Sequence, residues 1–305
     1  MKKIQIIYIL SCGHSGSTLL NLILGSSPNS YSLGEFMFLK NRLQQTNYIG
    51  KKIDGEKLFC TCGKELHECR FWSPITKSIN LSKLYSPTPK KVDYIHLFLY
   101  LYFGFYKSIY KEKNNDSLLF KKTLEEAQKI KSKKVSFLID SSKSLKRVLH
   151  LQSNSQFDVK VLHLTRDGRG VMNSYKKLNF SLISSYGYWI INNILIRRYV
   201  KSLRKKHPHN VLSISYDLFT QHPKKYLERI NSQFGTQVDL KHYLTQTNKE
   251  TFHNFGGNGL RNKKITEIRY DQSWKKKFSW PLRQFSTILC FIPNTLWVKK
   301  DDIKK

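Results

Sequence analysis

The residue types best suited to chemistry begin near the start of the chain, in Ser11-Cys12-Gly13-His14-Ser15-Gly16-Ser17-Thr18-Leu19-Leu20. The stretch lies between an apolar run and a helix-periodic one. There the first N–H groups of a helix have no backbone partner, and the helix dipole favours negative charge, so the position suits an anion. Gly13 and Gly16 permit close backbone approach, and Ser15, Ser17 and Thr18 add hydroxyl donors. A nucleotide-hydrolysing P-loop would place a lysine just before its final Ser or Thr, and none stands here. An ordinary strand-to-helix turn with Ser and Thr as caps is the plainer alternative.

A second set of polar residues is Arg166-Asp167-Gly168-Arg169-Gly170-Val171-Met172-Asn173-Ser174. Arg166 follows a strand-like run, and two turns of helix can bring Ser174 back beside it. One guanidinium fork and one hydroxyl would then share another anion. Taken alone, Arg166 reads equally well as a surface salt-bridge partner. Two carboxylates stand at strand ends: Glu35 after Ser32-Leu33-Gly34, and Asp140 before Ser141-Ser142-Lys143. Either is a candidate general base. The competing readings are that Glu35 caps a helix starting at Phe36 and that Asp140 ties its own loop together. Late in the chain, Gly256-Gly257-Asn258-Gly259-Leu260-Arg261 offers backbone N–H groups and a guanidinium that could close over a nucleotide. Beside Lys263 and Lys264, Arg261 reads otherwise as a solvated charge.

The elements that must position these groups alternate. Apolar runs at 3–10, 30–33, 135–140, 159–164 and 210–215 predict strands, with helical patterns between several of them, including a helix over 17–24 ending at Gly25. Strands alternating with helices imply an α/β fold of three layers, a central mostly parallel sheet flanked by helices. In such sheets ligands collect beyond the carboxyl ends of the strands. Residues from about 40 to 130 break the rhythm and predict a mostly helical insertion in a single domain spanning 1–305.

Composition narrows the partners. The 53 Lys and Arg against 21 Asp and Glu give a formal charge of +32, which favours a nucleotide, a polyanion or an acidic membrane surface. A lysine-rich coding bias would produce the same excess. The short apolar start, broken by Gln5, reads as a buried strand rather than a signal peptide. Five cysteines, three of them clustered, do not form a secreted disulfide framework, so a cytoplasmic location is expected.

Together, the segments Gly13 to Leu20 and Arg166 to Ser174 resemble the two phosphate-binding motifs of sulfotransferases that use 3′-phosphoadenosine 5′-phosphosulfate (PAPS). Further matches are similar to the bacterial branch of that family: Ser32-Leu33-Gly34-Glu35, Cys60-Thr61-Cys62-Gly63 with Cys69-Arg70-Phe71-Trp72, Asp140 to Lys143, and His253 to Arg261. The resemblance implies a P-loop-like fold and a sulfuryl donor, released as 3′,5′-ADP, with no metal required for catalysis. It implies a donor site of Gly13, His14, Ser15, Gly16, Ser17, Thr18 and Leu19 at the 5′ end, and Arg166 and Ser174 at the 3′-phosphate. Gly257, Asn258 and Arg261 would form the closing segment. Glu35 is implied as the base, by likeness to the Gly-Glu pair of tyrosylprotein sulfotransferases; Lys143, reached from the strand ending at Asp140 through two serines, suits stabilisation of the sulfuryl or leaving-group oxygens, with His14 and the Ser17 and Thr18 hydroxyls as its partners. Members of the family commonly carry Lys or Arg where this chain has His14.

The expected function is sulfuryl transfer to a hydroxyl or amine of a carbohydrate, lipid or small metabolite. A kinase or nucleoside-triphosphatase of similar fold is the enzymatic alternative, but that class uses the missing lysine. A basic nucleic-acid-binding protein is the other, and no nucleic-acid motif accompanies the charge. Cys60, Cys62 and Cys69, with His67 among them, have zinc-ligand chemistry, yet their spacing is not a paired CxxC; a disulfide or buried thiols compete, and no metal ligand is assigned. The aromatic run 94–106 is too short to span a bilayer and reads as a buried helix or a peripheral membrane contact. Trp189 and Trp274 read as packing residues or as borders of an adenine or acceptor site.

Overall fold

Sheet formation starts from β1 (Ile4–Ser11), whose residues from Ile6 onward are all buried. An uninterrupted apolar strand of this kind can lie only inside a sheet covered on both faces. The computed structural model describes residues 3–44, 59–84, 91–103, 115–246 and 252–298. After β1 come α1 (Ser17–Gly25), β2 (Ser30–Gly34), α2 (Leu39–Leu43), α3 (Trp72–Lys77), α4 (Lys91–Phe103) and α5 (Asp116–Lys131). β3 (Phe137–Asp140), α6 (Leu145–Ser153), β4 (Phe157–Thr165), α7 (Gly168–Lys176), α8 (Leu182–Lys206) and β5 (Val211–Ser215) follow. The described chain closes with α9 (Tyr216–Gln221), α10 (Pro223–Phe234), α11 (Leu240–Gln246), α12 (Trp274–Lys277) and α13 (Trp280–Pro293).

The sheet is five-stranded and parallel, in the order β2-β3-β1-β4-β5, with helices flanking it. The expected strands are present, each within two residues of its anticipated limits. The connection from β1 to β2 crosses to one side of β1 and that from β3 to β4 to the other. The direction across the sheet therefore reverses at the carboxyl end of β1, where open α/β sheets gather ligands. Between β2 and β3 lies the anticipated insertion. Its described parts are helices with one isolated antiparallel bridge, Phe59 to Glu65.

The chain divides into two compact units. The first comprises Met1–Ile9, Thr18–Lys160 and Thr236–Thr266. In it β1 pairs with β3 from Gln5 opposite Phe137 to Tyr8 opposite Asp140. A buried polar chain ties its helices to the sheet: Asn21 donates to the Ile139 carbonyl (3.0 Å), Ser32 to Asn21, and Asn254 to Ser32 (2.8 Å). Under α5 and α6, Asp116 accepts from Arg147 and faces His150 at 3.0 Å, all three deeply buried.

The second unit comprises Leu10–Ser17, Val161–Gly235 and Glu267–Lys305. Its core gathers Cys12, Val171, Met172, Trp189, Trp274, Phe278, Cys290 and Val298. Trp189 and Trp274 are thus packing residues. On α13, Ser286 and Cys290 are buried, whereas Trp280, Phe285, Ile288, Phe291 and Ile292 are exposed. In the first unit α4 buries Leu97 and exposes Ile95, Phe98, Tyr102 and Phe103; positions 104–106 of the aromatic run lie outside the described residues. No described helix is long and apolar enough to cross a membrane.

Removing the carboxylate from a buried ion pair leaves its cation desolvated and uncompensated. Asp116→Ala is therefore expected to lower the unfolding free energy by about 3–5 kcal/mol, measured by urea denaturation.

Candidate active site

The loop that follows β1 turns twice through the left-handed region, at His14 (φ 59°) and Gly16 (φ 86°). Residues bent in this way around Ser15 aim successive N–H groups into one concavity, a geometry that suits anions. Arg166, just after β4, holds the loop from within the second unit: one guanidinium nitrogen donates to the His14 carbonyl at 2.8 Å, the other to Asp271 Oδ2 at 2.9 Å. The guanidinium carbon lies 4.9 Å from the centre of the Tyr216 ring. Arg166 is only 7% exposed, which overturns the surface salt-bridge reading. Ser15 Oγ and Arg166 Nε are buried with no hydrogen-bond partner among the described residues. Such orphans are rare in folded proteins and mark a place where a polar ligand fits.

Both loop glycines are explained by aromatic neighbours. A Cβ at Gly13 would collide with the Tyr175 hydroxyl, and one at Gly16 with the Tyr216 ring. The His14 ring meets Tyr175 edge-on, centroids 4.4 Å apart. Ser174 donates to the Gly170 carbonyl at 3.0 Å, and a Cβ on Gly170 would come within 3.1 Å of Arg166 Nε. Gly170 thus stands beside Arg166, and Ser174 bonds back to the Gly170 carbonyl one helical turn away. The backbone beside Arg166 is fixed by Asp217, whose carboxylate accepts from the Asp167 N–H at 2.8 Å. Burial, reinforced by the Asp167 charge, pushes the Asp217 carboxyl up to about 6.

In the first unit, Glu35 accepts a hydrogen bond from Lys143, each side chain 18% exposed. Glu35 makes no side-chain cap to the short helix at 36–38, so the capping alternative fails. Lys143 has φ 64° and also donates to the Ser141 carbonyl at 3.2 Å. Asp140 is fully buried and accepts from the Ser142 N–H at 2.8 Å and from the Ser142 hydroxyl. Burial pushes its carboxyl up to about 6, against Arg147 and the Ser142 hydrogen bonds. Asp140 therefore ties its loop together, and Glu35 is the carboxylate of the pair that remains partly exposed.

The late glycine segment lies beside the same carboxylate. A Cβ on Gly257 would stand 3.5 Å from Glu35 Oε1 and 3.6 Å from Thr18 Oγ1. Asn258 caps the short helix over 259–262 by accepting from the Leu260 N–H at 2.9 Å. Arg261 is 7% exposed, not a solvated charge; burial lowers the pKa of Arg42, the Glu35 charge opposes this, and the Arg261 charge adds to the lowering. The Leu19 side chain is buried, so the backbone N–H in the first turn of α1 is what it can offer.

Thr18, Glu35, Lys143 and Gly257 thus lie together in the first unit, which also contains Leu19, Asn258 and Arg261, and the second unit contains Gly13 to Ser17, Arg166 and Ser174. Peptide continuity from Ser17 to Thr18 makes the loop and α1 one segment. Tyr175, Tyr216, Asp271 and Arg42 were missing from the sequence reading. Aromatic and charged residues on helices and in loops carry no periodic signal, though Tyr216, directly after β5, occupies the kind of strand-end position that flags a site. The cysteine reading needs a correction at its histidine: Cys60, Cys62 and Cys69 gather around His253, whereas His67 is exposed beside Glu65 at 3.3 Å.

The sequence profile described as "Sulfotransferase family" matches residues 6–239. No curated protein matches the chain. Among solved structures, the sulfotransferase domain from the Synechococcus PCC 7002 olefin synthase is similar over 95% of this chain and 94% of that one, with 20% identity and a TM-score of 0.56. The sulfotransferase domain from the curacin biosynthetic pathway covers 96% and 98%, with 16% identity and a TM-score of 0.52. At these identities the two structures establish the fold.

Two measurements check the site. Gly16→Ala meets both a ring and a left-handed φ and should cost about 1–3 kcal/mol in urea unfolding; in a Tyr216→Ala background the steric part should disappear. Asp140 has a folded pKa of about 6 against an ordinary 3.8, so between those values the folded protein binds more protons than the unfolded chain. Its contribution to stability therefore falls as pH rises through that window. Asp140→Asn, which keeps the Oδ1 acceptor, should shift in stability relative to the unaltered protein, in the variant's favour, between about pH 4 and about pH 7.

Proposed function

The chain belongs to the sulfotransferase family, and on that premise we propose that it is a PAPS-dependent sulfotransferase whose residues 1–305 act as one catalytic domain. The acceptor is a hydroxyl or amine of a carbohydrate, lipid or small metabolite. When bound, PAPS supplies the sulfuryl group and leaves as 3′,5′-ADP. One observation carries the reading: Arg166 grips the His14 carbonyl of a left-handed loop while Ser15 Oγ and Arg166 Nε stay buried and unpartnered. That donor set fits a phosphorylated ligand.

In this reading the backbone N–H groups from Gly13 to Leu19, with the Ser15, Ser17 and Thr18 hydroxyls, hold the donor's 5′ end. Arg166 and Ser174 hold the 3′-phosphate, which competes with Asp271 for the outer edge of the guanidinium. Gly257, Asn258 and Arg261 close over the nucleotide. Glu35 takes the proton from the acceptor, because it is a carboxylate beside Gly257 and Thr18 with part of its surface open. Lys143 aims that carboxylate and, with His14, offsets charge developing on the transferred oxygens, which is where positioned cations contribute most. Transfer is an in-line displacement that needs no metal.

The +32 charge favours an anionic surface, and we assign the exposed apolar side chains of α4, within the aromatic run 94–106, to peripheral contact of a cytoplasmic enzyme with acidic lipid. Sedimentation with anionic but not zwitterionic vesicles at low salt is the expected result; equal recovery in both removes the assignment.

Thermal stabilisation by 3′,5′-ADP without magnesium, exceeding that by ATP with magnesium or by duplex DNA, separates the proposal from a kinase and from a nucleic-acid-binding protein. Glu35→Gln should leave 3′,5′-ADP affinity within about 2-fold while lowering turnover by about 10²–10⁴; full turnover would remove Glu35 from the role. Arg166→Lys keeps the charge but loses the fork, and calorimetry should show 3′,5′-ADP binding weakened about 10-fold.

A further inference from the structure

Outside the nucleotide site, the turn Cys60-Thr61-Cys62-Gly63, the residue Cys69 ahead of α3, and His253 converge in the first unit. One ligand atom from each lies within 4.8 Å of every other. The sulfur pairs Cys60–Cys69 and Cys62–Cys69 are 3.5 and 3.7 Å apart, and His253 Nδ1 is 3.5 Å from Cys60 Sγ and 3.2 Å from Cys69 Sγ. A tetrahedral zinc ion with Zn–S bonds of about 2.3 Å and a Zn–N bond of about 2.0–2.1 Å needs S···S edges of about 3.8 Å and S···N edges of about 3.6 Å. The observed edges match those within a few tenths of an ångström. They are far too long for a disulfide, and all three thiols are free.

The surroundings suit a metal as well as the edges do. Gly63, at φ 84°, lets the chain reverse so that Cys60 and Cys62 face one point, closed by hydrogen bonds from Cys60 N to Lys64 O and from Gly63 N to Cys60 O, both 2.9 Å. The backbone N–H groups of Phe71 and Trp72 donate to the Cys69 sulfur. The His253 ring stacks on Phe71 with centroids 5.6 Å apart and planes 12° from parallel, and the Trp72 indole donates to the His253 carbonyl at 2.6 Å. These contacts fix the ring and backbone of the one ligand that comes from far along the sequence, as supporting shells of metal sites do. Arg70 Nε stands 3.4 Å from His253 Nε2, and that nitrogen carries the proton once Nδ1 is a ligand. Arg70 is exposed and free to turn outward, where its charge offsets the net negative charge of three thiolates around a divalent ion.

We propose that Cys60, Cys62, Cys69 and His253 bind one zinc ion, a closed structural site without an open coordination position. It joins the cysteine turn to the segment leading into Gly256 and Gly257. That link is reinforced by Thr61 N to Asn254 O at 3.0 Å and Asn254 N to Thr61 Oγ1 at 3.1 Å. The ion therefore holds the late glycines against Glu35 from outside the reaction centre, and the site stands whether or not PAPS is the donor. Three thiolates and an imidazole select zinc over harder cations.

The test uses the full chain, purified reduced and without chelators. Elemental analysis should find one zinc per chain, and exchange with cobalt(II) should give thiolate-to-metal charge-transfer and tetrahedral d–d absorption. Cys62→Ser, at the least buried of the three thiols, should weaken cobalt affinity more than about 100-fold, beyond the range seen for residues that only support ligands. His67→Ala should leave affinity and spectrum unchanged. Chelation should raise amide exchange in residues 59–72 and 252–257 while the strands stay protected, a readout that remains valid if the Cys69 or His253 variants do not fold. Folded, reduced protein that holds no zinc and gives no cobalt spectrum would overturn the proposal. So would a site lost in His67→Ala and kept in His253→Ala.

Discussion

The bond from Arg166 to the His14 carbonyl is the constraint on which the candidate site depends. Left-handed backbone at a non-glycine residue costs free energy, and it persists only where neighbours over-determine it. Here the buried guanidinium takes the carbonyl that the turn at His14 presents, and the rings of Tyr175 and Tyr216 occupy the space that side chains at Gly13 and Gly16 would need. The N–H groups of the loop are aimed before any ligand arrives. A loop held in this way owes its order to contacts on the protein side, which reduces the ordering cost of binding a ligand.

Scarce acidic residues shape the rest. With 21 carboxylates against 53 basic side chains, those near the sites have defined structural work. Asp116 neutralises Arg147 under the insertion, Asp167 and Asp217 fix the start of α7, Asp271 occupies the outer edge of Arg166, and Asp140 closes its own loop. Glu35 keeps 18% of its side chain exposed and has two cations near it, Lys143 by direct contact and Arg42 through its field.

The insertion between β2 and β3 is part of the site's scaffolding. The cysteine turn, α3 and the segment from Phe252 to Gly257 hold one another through Trp72, Thr61 and Asn254, and Asn254 continues through Ser32 and Asn21 into the sheet. These directional bonds run beside an apolar core in which Phe71, Trp72 and Phe255 are fully buried, so packing and hydrogen bonding fix the same segments together.

Local sequence determined a good deal of this protein. Continuous apolar runs specify buried parallel strands, and small residues between strand and helix specify a tight turn that passes through the left-handed region. Those features depend on periodicity and backbone stereochemistry, which act between near neighbours. Partners distant in the chain were decided only by tertiary structure: that Asp271 meets Arg166, that Tyr216 covers Gly16, that Glu35 pairs with Lys143 instead of capping a helix, and that His253 rather than His67 joins the cysteines. His67 lies between the cysteines in sequence and points to solvent, while His253, 184 positions beyond Cys69, is buried against it. Sequence spacing measures distance along the backbone, and a ligand set or ion pair is chosen by which side chains the packed core places within a few ångströms.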